Sequence, residues 1–123
     1  MSKPLSVAEY FSVALPSVLR AKGREATLLG VNVRFVVTGR GGGTWTVRLR
    51  APHACVVPGG DWKPDLVIKI TSAEMSHILA GTFDPARASA AGSVEFSGNV
   101  GVLKGLGFLF QRIEQQPRDI HAG

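Results

Sequence analysis

A chain of 123 residues is enough for one domain with one hydrophobic core, and its single cysteine, Cys55, excludes an intrachain disulfide framework. Hydrophobic residues make up 45% and charged residues only 19%, an apolar balance for so small a chain, so either the core is unusually large or apolar side chains face a cavity. The formal charge of +5 is spread along the chain and not blocked together, which speaks for a solvated surface and against a nucleic-acid partner.

The N-terminal residues Met1 to Val7 carry Lys3 and Pro4 without the apolar run of a secretory signal. The weakly charged run from Asn99 to Gln111 includes Lys104 and several glycines, and is too short and broken to span a bilayer. A cytoplasmic location is therefore expected. Ser6-Val7-Ala8-Glu9 reads as a capping box that opens a helix near Ser6. Behind it Val7, Tyr10, Phe11, Ala14, Leu15, Val18 and Leu19 recur at helical spacing as one apolar stripe. Pro16 lacks an amide hydrogen, so the helix should kink there or restart at Leu15. Ala21 to Glu25, with Gly23, reads as the helix exit.

From Val31 the period becomes two, with Val31, Val33, Phe35 and Val37 facing one way. Gly39 to Gly43 supply a hairpin loop, and Thr44 to Arg50 alternate again with Trp45, Val47 and Leu49 inward. A symmetrical five-residue loop pairs Val37 with Trp45, Phe35 with Val47 and Val33 with Leu49. The same register sets Arg34 opposite Arg48 on the outer face, near Arg50 and Lys69, a like-charge pairing that needs compensation from solvent, Glu95 or Asp65. The functional alternative is a basic patch for transient contact with anionic membranes. A phosphate cradle in the glycine run is excluded because a strand follows it, not a helix.

Ala54 to Val57 is a short strand, and Pro58 to Pro64 a turn-rich connector in which Trp62 is expected to cover a core edge. Cys55 is read as a small buried hydrophobe. Asp65 to Thr71 is the next strand, with Leu66, Ile68 and Ile70 inward. Thr71-Ser72-Ala73-Glu74 forms a second capping box, Met75, Ile78 and Leu79 give the helix its apolar face, and Gly81 stops it. Asp84-Pro85 opens another short helix that Gly92 ends. Val94 and Phe96 point inward from the last strand, and Gly98-Asn99 leads into a terminal helix. The crossover between these last two strands would be right-handed if they lie parallel.

Taken together, the capped helix, the G-x-x-D-P-x-x-A run from Gly81 to Ala88, the V-x-F-x-G-N strand from Val94 to Asn99, the Gly-Gly-x-Trp-x-Val hairpin at Gly42 to Val47, the Pro-Asp-x-x-Ile strand at Pro64 to Ile68 and Leu15-Pro16 in the first helix resemble the sterol carrier protein 2 (SCP-2) family of sterol- and lipid-transfer domains. The resemblance covers most of the chain. It implies an α/β (α+β) fold, a five-stranded, mostly antiparallel sheet with helices on one face enclosing an apolar tunnel for fatty acids, acyl-CoAs, sterols or similar lipids. The sequence departs from the family at Ala51-Pro52-His53, which replaces the usual segment, and at His121-Ala122-Gly123, which is no peroxisomal Ser-Lys-Leu signal.

The whole chain, residues 1–123, is thus expected to be one lipid-binding domain that carries a hydrophobic ligand, as a monomer or a homodimer. The expected cavity wall is Phe11, Leu15, Val18, Phe35, Val47, Met75, Leu79, Leu103, Leu106 and Phe110. The terminal helix is either a loosely held gate, its helix propensity lowered by Gly101, Gly105 and Gly107, or a core helix packed closely through those glycines. His53, His77 and His121 lie far apart, and no nucleophile elbow or metal-ligand spacing occurs, so no catalytic residue, metal or cofactor is expected. The alternative is an enzyme or accessory protein acting on a polyketide or isoprenoid intermediate in the same cavity, which a buried polar group facing that cavity would favour.

Overall fold

The computed structural model describes residues 6–60 and 62–110, without the side chains of residues 85, 104 and 107–110. Its first helix starts as the capping box requires: the Glu9 amide donates to Ser6 Oγ at 3.1 Å, and the Ser6 amide donates to Glu9 Oε1 at 3.0 Å. Helix α1 (Val7–Glu9) widens into a π turn (Tyr10–Ala14), and α2 (Leu15–Ala21) follows with Pro16 in its first turn. The missing amide of Pro16 is thereby placed where no helical bond is owed, and the wide turn upstream absorbs the ring. The expected exit over Ala21 to Glu25 is corrected: Gly23–Thr27 forms a further short helix, α3, held by the fully buried Ala26.

Five strands form one sheet in the order β3-β2-β1-β4-β5, with β1 Val31–Thr38, β2 Gly43–Leu49, β3 Cys55–Pro58, β4 Leu66–Thr71 and β5 Val94–Gly98. Only β1 and β4 run parallel; the other neighbours are antiparallel. The two strands flanking the short helices are therefore antiparallel neighbours, and the handedness rule considered for a parallel pair does not apply to them.

The β1–β2 register differs from the symmetrical expectation by two residues. Val37 pairs with Gly43, Phe35 with Trp45, Val33 with Val47 and Val31 with Leu49. The loop is tighter because the Gly42 amide reaches the Gly39 carbonyl at 3.1 Å, and a Cβ on Gly42 would collide with the carbonyl of Val37. A slip of two preserves the pleat, so every inward side chain stays inward. Val33, Phe35, Val47, Leu49, Leu66 and Ile70 are all essentially inaccessible to solvent on that face. The helices pack on it through Leu15 and Met75, both fully buried, and through Phe11, which stacks on Trp45 with 4.4 Å between ring centroids.

At the end of β4, Thr71 Oγ1 accepts the Glu74 amide at 3.1 Å and starts α4 (Ser72–Ala80). The second capping box is only half formed. The Glu74 carboxylate turns instead to Arg87, which donates to both its oxygens at 2.8 and 2.9 Å. Gly81, with φ of 80°, closes α4 in a left-handed turn that brings the Thr82 amide to the His77 carbonyl at 2.8 Å. Asp84 Oδ1 then accepts the amides of Ala86 and Arg87 and opens α5 (Pro85–Ala91). Beyond β5, residues Val100–Phe110 wind as a 3₁₀ helix.

Candidate ligand cavity

The inward side chains do not fill the space beneath the helices completely. A cavity of about 330 Å³ remains at the β4–β5 side of the sheet. Its floor is Phe35 of β1, Ile68 and Ile70 of β4, and Val94 and Phe96 of β5. Met75 and Ile78 of α4, with Gly81 and Phe83 just beyond it, make one side, and Leu103 and Leu106 of the 3₁₀ helix make the roof. Strand alternation puts each floor residue on the helix-facing side, while the turn at Gly81 sends the chain along the cavity edge and aims Phe83 into it. Every lining side chain among the described residues is apolar. Phe96, 40% exposed, marks the open edge, whereas Met75 and Leu106 are buried.

Of the ten side chains expected to form a wall, Phe35, Met75, Leu103 and Leu106 come together around this space. Leu15, Val47 and Leu79 belong to the buried core beside it, and Val18 packs half-buried against that core. Phe11 sits between Phe35 and Trp45 and borders a separate groove with Trp45, Pro16 and Val56. Phe110 lies in the 3₁₀ helix, and its side chain is outside the described residues. Ile68, Ile70, Val94 and Phe96 complete the floor; alternation marked all four as inward without distinguishing a packed position from one beside a void. Phe83 sits between a helix stop and a helix start, a position with no periodic signal.

The outer face corrects the expected arginine pairing. Arg34 stands opposite Thr46, and Arg48 opposite Asn32. Arg34 Nη2 donates to the carbonyls of Gly60 and Trp62 at 2.9 and 2.6 Å, so its charge is taken up by the connector backbone. Glu95 lies across from Lys69, and Asp65 Oδ2 accepts the Asn32 amide at 2.8 Å. Trp62 is on this polar face and not over a core edge: the Arg48 guanidinium lies 5.4 Å from its ring centroid. Cys55 is half-buried and unpaired.

An ion pair, Arg87 with Glu74, joins α4 to α5. Hydrogen bonds from Arg87 hold the Glu74 carboxyl below its ordinary value of 4.5, against the opposing effect of burial. His77 is exposed on α4, its Nδ1 2.8 Å from Thr82 Oγ1. Among the described residues no three potential metal ligands cluster, and no helix is long and apolar enough to cross a membrane.

The family model described as the SCP-2 sterol transfer family matches residues 15–111. The chain belongs to that family. Its fold is shared with the solution structure of palmitated SCP2L2 from Aedes aegypti, at a TM-score of 0.67 and 20% identity over 88% of this chain and 96% of that one. The sterol carrier protein domain 2 of Helicoverpa armigera aligns at a TM-score of 0.61 and 21% identity, covering 89% of this SCP-2 chain and 92% of the insect domain. Sterol carrier protein 2 from Yarrowia lipolytica in its apo form gives 0.61 and 15% identity, with coverage of 83% and 81%. No curated protein matches the sequence.

Proposed function

We propose that this SCP-2 domain binds one lipid-like ligand by its hydrocarbon part in the cavity beneath the 3₁₀ helix and carries it between membranes. The observation that carries this reading is a cavity of about 330 Å³ whose lining side chains are all apolar among the described residues. Water held there has no polar side chain to bond, while each methylene moved into it gains roughly 0.8 kcal/mol. The volume lies at the lower end of the roughly 300–1,000 Å³ common for ligand sites, which favours a single acyl chain over a fused-ring sterol. The palmitated state of the Aedes aegypti protein supports the same choice. Phe35, Ile68, Ile70, Met75, Leu103 and Leu106 are the proposed contacts, with the ligand's polar end left at the open edge near Phe96. A cytoplasmic site of action, with brief contact at anionic membranes for loading and delivery, completes the proposal.

An enzymatic role on a biosynthetic intermediate would need a polar or ionisable group facing the cavity, and none of the described lining side chains is one. Native mass spectrometry of freshly purified protein, followed by titration with a fluorescent long-chain fatty acid, tests the carrier reading. Co-purified acyl lipid and saturable binding are expected, and Leu103→Trp, which fills the roof from a half-buried position, should weaken binding at least about tenfold. An empty protein that ignores the fatty acid, or a Leu103→Trp variant that binds it unchanged, overturns the assignment.

A further inference from the structure

The cavity has an apolar neighbour on the same face of the sheet. A groove of about 330 Å³ lies toward β3, lined by Phe11, Ser12, Pro16, Trp45, Val56 and Pro58. The strand registers connect the two spaces. Pro58 pairs with Trp45, Trp45 with Phe35, Phe35 with Ile68, and Ile68 with Phe96, so one row of directly opposed residues crosses all five strands. Phe35, Ile68 and Phe96 belong to the cavity floor, and Trp45 and Pro58 to the groove.

Phe11 stands between them. Its ring, 1% exposed, backs onto Phe35 with 5.1 Å between centroids and stacks on Trp45 at 4.4 Å with an interplanar angle of 10°. The residue is carried by the π turn Tyr10–Ala14, in which the Leu15 amide donates to the Tyr10 carbonyl, a local widening that recurs at functional sites in helices. Moving the ring breaks no side-chain hydrogen bond, because phenylalanine makes none, and acyl methylenes passing beside it replace the dispersion contacts it gives up. The polar side chain of the groove, Ser12, is turned back to the Ala8 carbonyl at 2.7 Å.

Neighbouring strands lie about 4.8 Å apart, so the floor from Phe96 to Phe35 spans roughly 10 Å and the whole row from Phe96 to Pro58 roughly 19 Å. With C–C bonds of about 1.5 Å, an extended chain advances about 1.25 Å per carbon, so the cavity takes about eight carbons and the full row about fifteen. We propose that Phe11 is a gate that sets the range of acyl chain lengths. When its ring swings aside, cavity and groove join into one channel, and a long chain lies along the row with its polar end at Phe96 and its tail against Trp45 and Pro58. A short chain ends at Phe35 and leaves the gate closed. The gate rests on acyl carriage in the cavity, as proposed above, and adds where the end of a long chain goes.

The test is an NMR titration of the isotope-labelled full chain with octanoate and with palmitate, following the Ile68 methyl groups in the cavity, the Trp45 indole in the groove and the Trp62 indole on the outer face as a control. Both ligands should shift Ile68, palmitate alone should shift Trp45, and Trp62 should stay still. Val56→Phe fills the groove from a half-buried position on an edge strand, and should weaken palmitate at least about tenfold while leaving octanoate unchanged. Phe11→Leu removes the ring and should speed palmitate association about tenfold, with octanoate binding reporting that the variant is folded. Palmitate that shifts Ile68 but not Trp45, or that binds Val56→Phe as it binds the wild type, overturns the gate and leaves carriage standing. An unchanged palmitate association rate in Phe11→Leu also overturns the gate. If neither ligand shifts Ile68, the carriage reading falls and the gate falls with it.

Discussion

Glu74 shows how one side chain's choice of partner shapes the region beside the cavity. Its backbone completes the start of α4, but its carboxylate leaves the capping position for a bidentate contact with Arg87, tying two short helices that share few other contacts. The Arg87 hydrogen bonds lower the Glu74 pKa, so the unfolded carboxyl binds its proton more tightly than the folded one. The stability from this pair is therefore fully present above the ordinary carboxyl value of 4.5 and is lost as the pH falls through the lower folded value. Urea melts of the wild type and Glu74→Gln between pH 7 and pH 3 should show a stability gap that is constant near neutrality and narrows on acidification. A gap independent of pH would show that the ion pair is not what Glu74 contributes. Removing Arg87 should destabilise at neutral pH, because it strands a carboxylate that is only 5% exposed.

At the level of elements, the 3₁₀ helix acts as a roof laid over a gap, whereas α2 is packed into the sheet. Gly101, Gly105 and Gly107 weaken the α conformation in this segment, and a Cβ on Gly105 would press into the Leu29 side chain. The roof is thus held close to the chain that follows α3. Leu106 and Leu15 are nearly equal in burial, 3% and 0% exposed, yet Leu106 faces the cavity and Leu15 faces packed neighbours. Leu15→Ala should cost the full range for opening a core hole, roughly 3–5 kcal/mol, while Leu106→Ala should cost nearer 2 kcal/mol because its contacts are already incomplete on one side. Denaturant midpoints of the two variants check this ordering. Equal losses would mean that the roof is packed as tightly as the core.

For the whole molecule, a cavity that exists only in the folded state couples ligand to stability. At a free ligand concentration one hundred times Kd the folded chain should gain about 2.7 kcal/mol, a rise in Tm on the order of 10 °C for a domain of this size. Thermal melts with increasing long-chain fatty acid measure it. Binding without a shift in Tm would mean that the ligand binds the unfolded chain as tightly as the folded one, and so does not use a site that folding creates.

Local chemistry was enough to locate most of the elements in this protein. Ser6, Thr71 and Asp84 marked helix starts, Gly81 and Gly92 marked stops, and alternation from Val31 to Val37 and from Leu66 to Ile70 assigned the buried face, because each of these signals is carried by a few neighbouring residues. Three-dimensional packing decided the rest. The hairpin register depended on how closely Gly42 approaches the Val37 carbonyl. The second capping box gave way to a partner thirteen residues on. The cavity wall depended on which inward side chains have no atoms opposite them, and neither a repeat nor a spacing in the chain encodes an empty volume. Asn32 and Arg48 likewise became a pair only through the final register, which no pattern within either strand determines.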